Sequence, residues 1–325
     1  MSGERFLITG AFGCIGTWVV RELVREGVAV TAFDLDTEPH RWRLVMSDQE
    51  ISQVRRVQGD ITDLGQLEIV LDGDGITHVI HLAALQVPFC RADPPLGARV
   101  NVVGTVNVFE AVKRRADRIA AIAYASSIAA YDALEDGRDT VEMTGQPGTL
   151  YGVYKRANEG TAHVYWADDG VASIGLRPHT VFGPGRDQGL TSAPTTAMLA
   201  AAAGMSYRIP FGGRIQFQYA PDAARAFIAA ARADATGATV HNLAGTSVHM
   251  GEVVAAIAAA APDSAGRIAF DDVLLPFPGT VDAASFERLV GPVIETPLLE
   301  AVADTVARFR DLIGRGLVDP IHVVG

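Results

Sequence analysis

Hydrophobic positions along this chain fall into a repeating alternation. Short apolar runs bounded by turn residues give way to longer stretches with apolar residues at helical spacing. Phe6-Leu7-Ile8 is the first run and stops at Gly10. Residues 17–26 then carry Trp18, Val19, Leu23 and Val24 at helical spacing and stop at Gly27. Val28 to Phe33 is the second run and ends at Asp34, followed by a polar stretch over residues 37–53. Residues 54–59 predict a third strand, 63–71 a helix, and 76–84 a fourth strand ending in small residues. Residues 97–116 predict one long helix with Val100, Val103, Val106, Val108 and Phe109 at apolar positions. A fifth strand over 119–125 ends at Ser126-Ser127; a helix over 150–166 precedes a strand over 171–176 that ends at Arg177-Pro178.

Strands alternating with helices predict an α/β fold: a doubly wound parallel sheet covered on both faces, with ligands at the strand C-terminal ends. Beyond Pro178 the pattern changes. Glycine and proline cluster at Gly183-Pro184-Gly185 and Pro210-Phe211-Gly212-Gly213. Helices follow over 193–203, 221–233, 251–261 and 298–313. This predicts residues 1–178 as a dinucleotide-binding domain and 179–325 as a smaller, mostly helical substrate lobe, with about 214–245 returning to the first domain.

Composition narrows the partners. Of 325 residues, 49% are apolar and 20% charged, which fits a soluble globular protein. A net charge of −11 argues against nucleic acid and anionic membrane, while local arginines still leave room for an anionic substrate. No run of 18 apolar residues suggests a membrane span, and the chain enters its first strand without a leader-like segment. Cys14 and Cys90 have no metal-site spacing, no metal is expected, and two free thiols suit a reducing cytoplasm.

The chemistry begins at Thr9-Gly10-Ala11-Phe12-Gly13-Cys14-Ile15-Gly16, between the first strand and first helix. Glycines let a backbone turn sharply and approach a pyrophosphate, and the helix start offers N–H groups and a positive dipole end to that anion. Asp34, about 20 residues on, can accept hydrogen bonds from a ribose diol and would repel a 2′-phosphate, so the cofactor read here is NAD. The second anchor is Tyr151-Gly152-Val153-Tyr154-Lys155. Tyr151 and Lys155 share a helix face. A protonated lysine beside a tyrosine favours the phenolate, which predicts a lowered Tyr151 pKa and a usable general base. Tyr154 points elsewhere. A hydroxyl at Ser126-Ser127 could bind the same substrate oxygen.

Together these residues resemble the short-chain dehydrogenase/reductase superfamily, and more closely its extended branch, the NAD-dependent epimerase/dehydratase family. The likeness is strong over about the first 185 residues. It implies a Rossmann-type fold in which Gly10, Gly13 and Gly16 form the turn, and Phe12 and Ile15 give backbone contacts to the pyrophosphate. It implies that Asp60 and Ile61 hold the adenine, and that Leu82, Ala83 and Ala84, following His81, lie along the cofactor. It further implies that Asn101 braces the active-site strand, that Ser127 is the catalytic hydroxyl, and that Tyr151 and Lys155 are the catalytic pair. Arg177-Pro178-His179-Thr180-Val181-Phe182-Gly183-Pro184 is similar to the family's segment at the substrate edge, with Phe182 in a tyrosine's place. The resemblance also implies a homodimer, paired through the helices at 97–116 and 150–166.

Departures from that family bear on the substrate. Ser127 is followed by Ile128-Ala129-Ala130, which supplies no second acid or base for dehydration or decarboxylation. Ile215 stands where family members place an arginine on a nucleotide diphosphate, with Arg214 and Arg186 as possible substitutes. Arg186 reads equally as an exposed loop arginine and as a fork for a carboxylate. His179 reads as a substrate contact or, slightly preferred, as a hydrogen-bonded structural histidine. The loop at residues 86–91, including Val87, forms another wall of the pocket. The expected activity is an NAD-dependent dehydrogenase acting on a sugar, sugar acid or lactone; the alternative is a nucleotide-sugar epimerase that retains NAD. A non-catalytic dinucleotide sensor need not keep Ser127, Tyr151 and Lys155 together.

Overall fold

A computed structural model, which describes residues 3–131 and 146–324, turns the apolar runs into strands. In chain order they are β1 (Arg5–Thr9), β2 (Ala29–Asp34), β3 (Arg55–Gln58), β4 (His78–His81), β5 (Ala121–Ala125) and β6 (Ala172–Arg177). Then come β7 (Thr180–Phe182), β8 (Tyr207–Ile209), β9 (Arg214–Tyr219), β10 (Ala238–Asn242), β11 (Thr246–His249) and β12 (Ile268–Phe270). The large sheet runs β10-β6-β5-β4-β1-β2-β3, with every neighbouring pair parallel. The fold is therefore the Rossmann-type doubly wound sheet that the alternation predicts. From β1 the chain winds outward through β2 and β3, then crosses back to β4. That reversal opens a crevice at the carboxyl ends of β1 and β4, where such sheets bind ligands.

Burial on both faces explains why the strands read as continuous apolar runs. Phe6 and Ile8 join Trp18, Val19 and Leu23 of the helix Cys14–Arg25 and Phe227 of the helix Ala220–Arg232 on one face. Leu7, Val79 and Ile122 join Leu67, Phe109 and Ala162 on the other. A separate core fills the C-terminal lobe, where the helices Ala193–Ala202, Met250–Ala260 and Leu298–Gly314 pack around Ile215 and Phe217 of β9. There β9 pairs with β7 and β11, and β8 with β12. The helix Ala220–Arg232 and β10 return to the large sheet, while β9 stays in the lobe's own small sheet. No helix among the described residues is long and apolar enough to cross a membrane.

Three local readings change. Residues 97–116 are not one helix: Pro94–Ala98 leads into a π-helical turn, Arg99–Val103, and then into the helix Gly104–Lys113. Residues 86–91 are not a loop but contribute the short helix Val87–Ala92, with Pro88 in its first turn, where a missing N–H costs nothing. The polar stretch 37–53 contains a one-turn helix, Trp42–Leu44, whose Trp42 is fully buried, and a second helix, Asp48–Ser52, started by a Ser47/Glu50 capping box.

Candidate active site

The crevice is a cleft of about 410 Å³. One wall is the glycine turn. Gly10 has φ +68°, and a Cβ there would lie 2.6 Å from the Ala83 nitrogen. A Cβ on Gly16 would collide with the Gly10 carbonyl, so the helix packs onto the turn only without one. No side chain caps the N-terminus of Cys14–Arg25, and Gly13 to Gly16 line the cleft. Asp34 sits across the turn, and the Phe12 N–H donates to its Oδ2 at 2.9 Å. Burial pushes the Asp34 carboxyl up, and N–H groups of Phe12, Asp36 and Leu35 pull it back. Asp60 and Ile61 line the far end. The Asp60 carboxylate accepts the Thr62 N–H at 2.8 Å, and Ile61 fills the space beside Gly104. A cradle with no room for side chains, ending in an acid, fits an adenine dinucleotide.

Leu82, Ala83 and Ala84 line the cleft as it runs from the glycine turn toward Ser127, Tyr151 and Lys155, all three of which face it. Asn101 stands one layer behind. From the π-helical turn its Oδ1 accepts the Leu85 N–H at 2.7 Å and its Nδ2 donates to the Leu85 carbonyl at 2.8 Å, which fixes the chain just past β4. The Asn158 amide then donates to the Asn101 carbonyl at 2.8 Å.

Tyr151 and Lys155 project from the helix Leu150–Asp169, which begins at a Thr149 cap. The Lys155 ammonium lies 5.6 Å from the Tyr151 ring centre and donates to the Ala125 carbonyl at 2.7 Å. Burial pushes Lys155 down to about 8, against upward pulls from Cys90 and Glu159. Tyr151 departs from the sequence expectation. Burial raises its phenol, and the Ser127 hydrogen bond and the Arg186 charge pull it back only in part. Spacing puts a lysine beside the tyrosine, but desolvation is the larger effect on both groups. Tyr154 does point away, its hydroxyl donating to the Pro94 carbonyl at 3.0 Å.

The opposite wall comes from beyond β6. Gly185 to Thr191, Gln86, Val87, His179 and Phe277 line it. His179 makes structural bonds. Its Nε2 contacts the Pro278 carbonyl at 2.6 Å, its Nδ1 contacts Thr180 Oγ1 at 3.2 Å, and burial lowers the ring's pKa to about 4, which keeps it neutral. Arg186 reaches the cleft, donating from Nη2 to Thr191 Oγ1 at 3.0 Å, while its buried Nε has no partner. The buried Gln86 Oε1 beside it is also unpartnered. Arg214 does not line the cleft; its Nη1 donates to the Ser247 carbonyl at 3.1 Å. Ile215 is buried in the lobe core.

Two supporting groups were not visible as motifs. Trp42 donates from Nε1 to the Ala11 carbonyl at 2.9 Å and meets Phe12 edge-on, so it buttresses the glycine turn. Glu159, one turn beyond Lys155, accepts both arms of Arg177 at 2.7 and 2.6 Å and the Ser126 hydroxyl at 2.5 Å. This pair, each side chain 10% exposed, ties the ends of β5 and β6 to the helix Leu150–Asp169. The signal for it was a Tyr151, Lys155, Glu159 spacing on one helix face.

The family model described as the NAD dependent epimerase/dehydratase family matches residues 6–244. UDP-glucuronate 4-epimerase 2 of Arabidopsis thaliana is 36% identical over 193 residues, 56% of this chain and 43% of that protein. The chain thus spans less than half the length of that relative. Among solved structures, MoeE5 in complex with UDP-glucuronic acid and NAD is 27% identical with a TM-score of 0.76, covering 94% of this chain and 99% of its own. A partial consensus L-threonine 3-dehydrogenase is 25% identical with a TM-score of 0.79, over 94% of this chain and 99% of its own.

Proposed function

The chain belongs to the NAD-dependent epimerase/dehydratase family and is an NAD-dependent enzyme of the extended short-chain dehydrogenase/reductase type; from that premise we propose that it oxidises a secondary carbinol of a small polyhydroxylated acid. Bound NAD supplies the hydride acceptor. Gly10, Phe12, Gly13, Ile15, Gly16, Asp34, Asp60, Ile61, Leu82, Ala83 and Ala84 hold it, and Asn101 holds their wall in place. Tyr151 takes the carbinol proton on its phenolic oxygen as the carbonyl forms. Ser127 orients the substrate hydroxyl and stabilises the tyrosine's negative charge. Lys155, protonated below about 8, favours that phenolate and holds the cofactor's ribose.

The observation that carries the acid is Arg186. Its guanidinium reaches the cleft near enough to Tyr151 for its charge to be felt there, and its buried Nε lacks a partner. A planar fork held beside the reacting centre suits a carboxylate. The test is NAD reduction by the purified enzyme across a panel of sugar acids, lactones and neutral sugars. Acids are turned over preferentially, and Arg186→Gln raises their KM at least about tenfold with little change for neutral analogues. Equal use of neutral and acidic substrates removes the acid from the proposal, and no turnover across the whole panel counts against the dehydrogenase itself.

A second reading is a nucleotide-sugar epimerase that keeps its NAD, favoured by the likeness to UDP-glucuronate 4-epimerases. The same Arg186 fork would serve a uronic acid there. Tight UDP binding distinguishes it, and the buried Ile215 speaks against an arginine grip on the diphosphate at that position. We also infer a homodimer. Val153, Ala157, Gly160 and Val164 leave an exposed apolar stripe along the helix Leu150–Asp169, and Val103 is exposed on the neighbouring helix. Sedimentation of twice the 34.4 kDa chain mass supports the pairing, and a monomer refutes it. The free thiols of Cys14 and Cys90 suit a cytoplasmic enzyme.

A further inference from the structure

Between the two walls of the cleft runs a charged connection that the proposed chemistry does not use. Arg41 follows β2 and lies at the glycine turn, where its Nη1 donates to the Phe12 carbonyl at 3.0 Å. Its other donors cross to the opposite wall. Nε meets the two Asp187 oxygens at 3.1 and 3.0 Å, and Nη2 meets Oδ1 at 2.8 Å. The arrangement is a two-pronged fork, with the Arg41 side chain only 12% exposed and Asp187 38% exposed. The segment bearing Asp187 is anchored behind by Trp18, whose Nε1 donates to the Pro184 carbonyl at 3.0 Å. It then turns at Gly185, with φ +92°, directly against the Arg41 side chain. Arg41 and Asp187 both line the cleft alongside Asp34, Asp36 and His40.

We propose that the Arg41–Asp187 pair is a clasp across the cofactor cleft, and that its opening sets the rate at which the bound dinucleotide leaves. A bidentate fork is stronger than an ordinary surface ion pair, and here the arginine is largely buried and held in place by a second bond to Phe12, while Asp187 is exposed. Arg41 and Asp187 are 146 residues apart along the chain, with β3 to β7 between them. Separating them therefore requires breaking this contact and turning the segment about Gly185. Closed, the clasp keeps the dinucleotide through successive turnovers; open, it lets the dinucleotide exchange as a co-substrate. The inference rests on the family's use of NAD and not on the substrate proposed above.

The test is stopped-flow release of NADH from the full-length protein, followed by nucleotide fluorescence after trapping with excess NAD, so that no substrate is needed. Asp187→Ala is expected to release NADH about tenfold faster than the parent, with a similar melting temperature in the ligand-free state. Asp187→Asn, which keeps the shape of the side chain, is expected to lie between them. In an Arg41→Ala background the Asp187→Ala effect should vanish, because the partner it acts through is gone. Raising the salt from 50 mM to about 1 M should speed release from the parent and leave Asp187→Ala unchanged. Acceleration above threefold that depends on Arg41 supports the clasp. Acceleration of threefold or less in both Asp187 variants, an Asp187 effect that persists without Arg41, or salt-independent release from the parent overturns it. Because the readout is nucleotide release, a wrong substrate assignment would leave this result untouched.

Discussion

The two walls of the cleft are built on different terms. On the glycine-turn side, three backbone groups that face the cleft's edge are satisfied by side chains: Phe12 N–H by Asp34, the Ala11 carbonyl by Trp42, and the Phe12 carbonyl by Arg41. On the Gly185–Thr191 side, Arg186 Nε and Gln86 Oε1 are buried without partners. Unsatisfied buried polar atoms are costly, and where they persist they need a reason. In the proposed function the first wall takes the NAD shared across the family, and the second takes the carboxylate of the substrate.

The comparison breaks hardest at Gly16. Gly16→Ala forces a Cβ into the Gly10 carbonyl, and neither backbone can yield without dismantling the turn. We expect a loss of more than about 4 kcal/mol of stability, or no folded protein, read by thermal melting and NADH titration. A variant that melts normally and binds NADH normally would show that the finished wall is less rigid than its bonding implies.

Next comes Glu159, which ties the ends of β5 and β6 to the helix Leu150–Asp169. Glu159→Gln leaves the Arg177 guanidinium buried with half its partner, at a cost of about 3 kcal/mol in chemical denaturation. It has a second effect. The Glu159 charge supports the Lys155 proton, and burial has already brought that lysine down to about 8. With the charge removed, Lys155 loses its proton at lower pH. NADH affinity is expected to fall on the alkaline side as Lys155 loses its proton, and in Glu159→Gln that fall should come at lower pH than in the parent. An unmoved midpoint alongside the lost stability would reduce Glu159 to a purely structural role.

The smallest effect belongs to His179. Burial lowers its pKa from the ordinary 6.5 to about 4, so the folded protein holds the ring neutral where an unfolded chain would protonate it. Its stabilising contribution is present in full above about pH 6.5 and is lost as pH falls toward 4. Melting temperatures taken between pH 7 and 4.5 should drop, and His179→Gln should flatten that drop modestly. His81, held neutral between Thr9 and Thr105, keeps part of the acid sensitivity in place.

What could be read from the sequence was whatever is written within a few neighbouring residues. The glycine turn, Asp34 and the Tyr151–Lys155 spacing are of that kind, and so is the alternation that gives the parallel sheet. Trp42 escaped because a single turn of helix has no periodicity to detect, and its neighbours are polar. The π-helical turn at Arg99–Val103 left no mark, since one extra residue per turn does not disturb a run of valines. Glu159 and Arg177 meet only because β6 and the helix Leu150–Asp169 are neighbours in space. The direction of the Tyr151 shift was missed for a related reason: spacing reports which charges are near, while desolvation depends on everything packed around them.

The return of β10 to the large sheet has a practical side. A fragment ending at residue 178 would bare the flank of β6 and strip the helix Cys14–Arg25 of its partner, Ala220–Arg232. Chimeras that exchange the substrate-facing part with a relative cannot therefore be made with a single splice. They need at least two junctions, one after β6 and one before Ala220, with a third if the donor's segments beyond β10 are wanted. Recombination among relatives is limited by the same geometry, so specificity in such a chain is more easily changed by point substitution than by grafting.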